Sequence, residues 1–380
     1  MRAGLLLLAL LGLGLPAQAT PPARRVAALQ RGVNITNWLR FPARSGPAAL
    51  RDYLSDAAMA DLRHAGFTFV RLPFEPSLAA SAPARDALLA QIRRLHAAGL
   101  AVVLVPTSAA WRLEEREADR AALLATWRRL APALRALDPD RTFPEILNEP
   151  VFPGAAPAWD VLQRDALAVI RAALPATTVI LSGADWSSIG GLVALAPVAD
   201  GNVAYTFHFY DPSELTSLAA YRPGLDRAAL ARLPFPAADA AACAHAAASP
   251  DPTTQDLITF VCAQHWDDAS ITARIGRAAD WAVHNGAMLV AGEFGASAHL
   301  NAPARLAWIT AVRKGCERAG IGWALWGYDD VMGFDVPRPP PPRPALDPTL
   351  LRALGLRNKI DPADKNPGPR PGAVTGRLHV

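Results

Sequence analysis

The chain has 380 residues, 51% of them hydrophobic and 19% charged, with a net charge of +4; that is long for an ordinary domain but within the span an α/β barrel occupies as one unit. The positive excess comes from arginines dispersed among aspartates and glutamates rather than from a basic stripe, which argues against nucleic acid as a partner. Its three cysteines, Cys243, Cys262 and Cys316, fit neither a zinc ribbon nor a Cys-x-x-Cys site.

The chain opens with "MRAGLLLLALLGLGLPAQAT", a single arginine, a leucine-rich block and then Ala17-Gln18-Ala19. This is the layout of a secretory signal with small residues at the cleavage site, and it sets residues 1–19 apart from the fold. The block is too short for a permanent anchor and no later segment is long and apolar enough to be one. The expectation is an exported protein, periplasmic or extracellular, with no stable membrane anchor.

Short β-like runs follow in sequence: "RGVNITNW", "FTFVRLP", "LAVVLVP", "FPEILNEP", "TTVILSG", "VAYTFHFY", "MLVAGEFG" and "GWALWGY". Helical spacing fills much of the sequence between them, over Ala84 to Ala98, Glu115 to Leu137, Ala158 to Ala173 and Trp266 to His284. Alternation of this kind predicts parallel strands joined by crossovers. Eight such units without a second compositional regime predict a single-domain α/β fold, a (β/α)8 TIM barrel over residues 20–356. There is no Gly-x-Gly-x-x-Gly turn or Walker loop, which removes the usual open-sheet nucleotide binders.

Two regions depart from the regular beat. Residues 211–265 form a long insertion after the sixth strand, on the side of a barrel where long loops usually belong to a binding site. Within it Cys243 and Cys262 flank a stretch read as loop, "CAHAAASPDPTTQDLITFVC", which they can close as a disulfide in an oxidising compartment. Cys316 falls in a helical pattern and is expected to be buried and inert. Residues 337–348, "PRPPPPRPALDP", read as a stiff extended loop, and the Pro- and Gly-rich tail 357–380 as disordered.

Catalytic groups of a (β/α)8 barrel sit at the C-terminal strand ends. Those ends carry Asn37 and Trp38, Arg71, Asn148 and Glu149, His208 and Tyr210, Glu293, and Trp326. A glutamate before a proline, as at Glu149-Pro150, is equally at home as a turn residue. A second glutamate at the end of strand seven changes the balance, because two carboxylates across a barrel mouth suit glycoside hydrolysis: one protonates the leaving oxygen while the other attacks or stabilises the sugar carbon. Trp38 and Trp326 can offer flat faces to pyranose rings, with His208, Tyr210, Asn148 and Arg71 as hydrogen-bonding groups.

Together these residues resemble glycoside hydrolase family 5, the cellulase family of clan A, over roughly Arg31 to Leu354. The resemblance implies a retaining enzyme in which Glu149, after Asn148, is the acid/base and Glu293 the nucleophile, with Arg71, His208, Tyr210 and Trp326 at the family's other site positions. One position departs. The family commonly ends strand three with a histidine, whereas "VVLVPTSAAW" has Pro106 and Thr107 there, and Thr107 or Trp111 is left to fill the space. The implied reaction is double displacement, with the Glu293 carboxylate favoured by Arg71 and Tyr210. It requires carboxyl groups about 5–5.5 Å apart.

The expectation is a monomeric endo-β-1,4-glucanase acting on β-glucan, with no metal or organic cofactor. A β-mannanase or β-1,3-glucanase of the same family, or a non-catalytic carbohydrate-binding protein, remains the alternative.

Overall fold

The structure, a computed structural model, describes residues 20–41 and 47–357. The expected signal and nearly all of the expected tail lie outside the described residues. Eight strands, β1 (Arg31–Asn34), β2 (Phe69–Phe74), β3 (Ala101–Pro106), β4 (Thr142–Pro144), β5 (Val179–Ser182), β6 (Val203–Phe209), β7 (Met288–Phe294) and β8 (Gly322–Trp326), form one parallel sheet. Their order is β4-β3-β2-β1-β8-β7-β6-β5. The remaining seam closes through a parallel bridge between Glu145 and Ile180, so the sheet is the barrel that the alternation predicts.

The strands read as apolar runs because both faces are covered. Inside the barrel Leu29, Phe69, Val103, Phe143, Ile180 and Val290 pack into a small core of their own. Gly32 makes room for this floor, since a Cβ there would sit 2.4 Å from the Phe69 ring. Outside, alternate residues of the same strands join a far larger core shared with the helices.

The crossover helices start and stop where their ends are satisfied. Ser81 caps Ala82–Ala97 and Asp267 forms a capping box on Asp268–Asn285. Two helix tryptophans fasten the helix layer to the strand ends: Trp127 donates to the Ile146 carbonyl at 2.9 Å and Trp159 to that of Ser182 at 2.8 Å. Both are fully buried, each indole N–H having found an acceptor.

The stretch from Cys243 to Cys262 is not a loop. It contains parts of two helices, Ala240–Ala247 and Pro252–Ala263, joined by the Cys243–Cys262 disulfide across a Cα–Cα distance of 6.2 Å. The residues that suggested a loop, Ser-Pro-Asp-Pro, are the junction itself: Asp251 caps the second helix and Pro252 occupies its first turn. Cys316 is buried, which pushes its thiol up to about 12. No helix among the described residues is long and apolar enough to cross a membrane.

Candidate active site

Period two along each strand decides which side chains enter the barrel. On β2, Phe69 lies in the inner core, so Arg71 points inward one layer higher; on β6, Ala204 does the same for His208. On β7 strict alternation from the inner residue Val290 would turn Glu293 outward. The pairing of β7 with β6 slips at Gly292, where Ala291 faces Phe207 and Glu293 faces His208. This bulge reverses the alternation, bringing Glu293 in and sending Phe294 out to the helix layer. Glycine is required there, because a Cβ would stand 2.5 Å from the Thr206 hydroxyl.

Arg71 is the hub. Its guanidinium donates from Nε and Nη2 to the two oxygens of Glu145, each at 2.7 Å, and from Nη2 to Asn148 Oδ1 at 2.8 Å. Nη1 reaches Asn34 Oδ1 at 3.0 Å and Glu293 Oε1 at 2.5 Å. All five N–H groups are therefore used, in a side chain only 1% exposed.

The other oxygen of Glu293 accepts from the Tyr210 hydroxyl at 2.8 Å. His208 Nδ1 lies 2.9 Å from Glu149 and 3.4 Å from Glu293. Glu149 adopts φ 44° immediately before Pro150, a sparsely populated conformation for a non-glycine residue that is typical of functional positions.

Burial pushes the Glu293 carboxyl above the ordinary carboxylate range; His208, Arg71 and Tyr210 act against the rise and Glu149 adds to it. The sequence suggested that Arg71 and Tyr210 favour the ionised form, and both do act in that direction. The difference is burial, which outweighs the favourable contacts to His208, Arg71 and Tyr210. Burial, with Glu293 and Glu149 beside it, also holds the Tyr210 hydroxyl well above its ordinary range, so that it remains a donor.

Asn148, Glu149, Tyr210, Glu293 and Trp326 line one cleft of about 870 Å³, walled on one side by Ser217 and Arg227 of the insertion. Trp326 is half-buried at its edge, with the Arg40 guanidinium 5.6 Å above the ring.

Four expected ligand contacts, Arg71, His208, Trp38 and Asn37, do not line the cleft. Arg71 is buried with every N–H group already used, and His208 is buried beside Glu149 and Glu293. Trp38 is 1% exposed, stacked on Tyr53, with its indole N–H on the Leu50 carbonyl; both faces belong to the core and neither meets the cleft. Asn37 is buried beneath the β8 loop, donating to the Asp329 carbonyl and accepting from Arg338. Asp329 caps the same junction through the Thr36 and Asn37 amides. Neither Thr107 nor Trp111 lines the cleft; Trp111 packs on the outer core, and the Thr107 hydroxyl is buried without a partner among the described residues.

Asn34 and Glu145 were missed by attention to strand ends. Each lies two residues beyond an inward position, Gly32 and Phe143, so period two applied inside the strand would have found them.

Glu149, His208 and Glu293 are also the one grouping among the described residues with donor atoms close enough to hold a metal ion, all within 4.8 Å. Both oxygens of Glu293 are already held by a guanidinium and a hydroxyl, and a fixed cation at 2.5 Å fits a carboxylate pair for proton and sugar chemistry better than a second cation.

Residues 30–330 match the model of the cellulase family, glycosyl hydrolase family 5. Endoglucanase 3 of Fibrobacter succinogenes is 26% identical over 332 residues, covering 79% of this chain and 49% of its own length. Endoglucanase H of Acetivibrio thermocellus is 25% identical over 208 residues, 52% of this chain and 23% of its own. This chain thus spans half or less of the length of these relatives. The solved structure of endoglucanase Cel5A from Thermotoga maritima superposes with a TM-score of 0.70 at 24% identity, covering 88% of this chain and 100% of that one. A sequence match that begins just before β1 and ends just past β8, on a barrel of the same shape, places the chain in glycosyl hydrolase family 5, the cellulase family.

Proposed function

We propose that this chain is an exported, retaining endo-β-1,4-glucanase in which Glu293 is the nucleophile and Glu149 the acid/base. The carrying observation is that the two carboxylates meet in one cleft on a shared histidine, His208 Nδ1 lying 2.9 Å from Glu149 and 3.4 Å from Glu293, which is the close placement a retaining pair needs. Retaining pairs sit about 5–5.5 Å apart, whereas inverting pairs need about 6.5–9.5 Å to admit a water between carboxylate and sugar. Family membership supports glycoside hydrolysis, and the names of the relatives support a glucan substrate.

In the first step a Glu293 oxygen bonds to the anomeric carbon as the bond to the leaving oxygen breaks, and Glu149 gives that oxygen its proton. Glu149 then takes a proton from water, which attacks the same carbon and frees Glu293 with configuration retained. His208 sits on Glu149 and fixes its carboxyl on the leaving-group side; Tyr210 and Arg71 hold Glu293 for attack. The layout of residues 1–19 supports export, and the Cys243–Cys262 disulfide supports an oxidising compartment.

Mannan is the second reading. It is favoured by Pro106 and Thr107 at the position of the strand-three histidine, and one solved structure of Thermotoga maritima Cel5A is described in complex with mannotriose. A panel of soluble β-1,4-glucan, β-1,3-glucan and mannan, with proton NMR of the first product, tests both. New reducing ends from β-1,4-glucan that appear first as the β anomer are expected. Faster release from mannan selects the second reading, a first-formed α anomer overturns retention, and no release from any polymer leaves a carbohydrate-binding protein.

A further inference from the structure

Double displacement removes a charge from a buried network. Before reaction the Arg71 guanidinium faces two carboxylates, Glu145 at 2.7 Å and Glu293 at 2.5 Å, with side chains 1%, 2% and 4% exposed. When Glu293 forms the glycosyl ester, one of its oxygens bonds to the anomeric carbon and the electron pair of the broken bond departs with the leaving oxygen. That oxygen takes the proton of Glu149. The negative charge has then moved from Glu293 to Glu149, which is 24% exposed, bonds to His208 and makes no bond to Arg71. With Glu293 as its only carboxylate, Arg71 would remain as a dry cation without a counter-charge, one of the costliest states a protein interior can hold.

We propose that Glu145 is the permanent counter-ion of Arg71, a positioning residue that keeps the guanidinium neutralised and aimed while Glu293 is esterified. The proposal rests on Glu293 being the nucleophile. Both Glu145 oxygens are engaged by Arg71, so its charge stays on the guanidinium at every stage. It stands on the wall of the barrel, where its backbone bridges to Ile180, and enters no part of the cleft that receives sugar. Asn34 and Asn148 complete the fork but carry no charge and cannot replace it.

The test is covalent trapping with an activated 2-deoxy-2-fluoro-β-cellobioside bearing a dinitrophenolate leaving group, which departs without a proton from Glu149. In the parent protein, peptide mapping is expected to find the label on Glu293. In Glu145→Gln the probe's binding constant should stay within about threefold while its first-order labelling rate falls roughly 100-fold. Glu145→Asp, which restores the charge, should recover at least about tenfold of that loss. A folded Glu145→Gln that labels at the parental rate overturns the role, as does a Glu145→Asp no faster than Glu145→Gln.

Should Glu145→Gln fail to fold, the parent protein decides. Labelled protein is expected to melt no lower than unlabelled protein, and a fall in Tm on labelling would show Arg71 left uncompensated despite Glu145. A parental label on a residue other than Glu293 refutes the nucleophile assignment itself and takes the counter-ion role with it.

Discussion

Arg71→Lys keeps the charge and removes the fork, and its cost follows from a bond count. Arg71 donates five hydrogen bonds, one from each N–H, to Glu145 (twice), Asn148, Asn34 and Glu293. An ammonium has three donors, so at least two of these bonds are lost around a side chain that is 1% exposed. A buried acceptor left unsatisfied costs about 1–3 kcal/mol, which puts the destabilisation at roughly 2–6 kcal/mol, or about 3–8 °C in Tm at about 2.1 cal/mol/K of unfolding entropy per residue. Displacement of Asn148 and Glu293 should lower kcat/KM about 100-fold in addition. Thermal melts followed by circular dichroism and initial rates on a soluble β-glucan measure both. Arg343→Lys, whose partner Asp61 lies at an exposed pair, is the control and should leave Tm unchanged. A Tm for Arg71→Lys within about 1 °C of the parent, with kcat/KM within threefold, refutes the reasoning, because it would mean that charge and not the planar fork holds the site.

Because burial raises the Glu293 carboxyl, the acid limb of the kcat/KM profile should lie above the ordinary value of about 4.3, with activity rising as pH increases through it; a limb at or below that value refutes burial as the dominant cause. The same shift has a sign for stability. Between the ordinary and the raised value the folded protein holds a proton that the unfolded chain has released, so this group's contribution falls as pH rises, and Glu293→Gln should remove that slope from Tm against pH. Glu293→Gln should also abolish turnover while leaving oligosaccharide binding largely intact by calorimetry, and near-normal activity would remove the nucleophile. Trp38→Ala should cost about 3–5 kcal/mol in a denaturant melt with KM unchanged, whereas Trp326→Ala should raise KM with little change in Tm; the reverse pattern would return Trp38 to the sugar site. Cys243→Ser with Cys262→Ser opens a link spanning 19 positions, worth about 3 kcal/mol of stability, and should raise KM because the insertion walls the cleft.

The barrel was legible because its periodicity is local. Strands such as "AVVLVP" announce burial on both faces, and the helix patterns come with their own caps, so the eight units appear without knowledge of any long-range contact. Glu149 and Glu293 were legible for a related reason: a carboxylate closing an apolar run is costly unless it is used. Trp38 misled because a tryptophan after a strand looks the same from sequence whether the chain turns it toward the cleft or beneath the next helix. Here Leu50 offered the carbonyl that its indole N–H needs. The helices inside the insertion were obscured by prolines that proved to be starts rather than breaks.

From its residues alone the chain specified an alternating barrel and the two acids at its rim, since apolar period, capping and the cost of a buried charge act over a few neighbouring positions. The tertiary structure decided which side chains meet. The bulge at Gly292 that turns Glu293 inward, the pairing of Arg71 with Glu145, and the burial that lifts the Glu293 carboxyl all depend on contacts between strands far apart in sequence. A hydrogen bond spanning 74 positions, as between Arg71 and Glu145, leaves no mark on either residue's neighbours; it exists only once the sheet has closed.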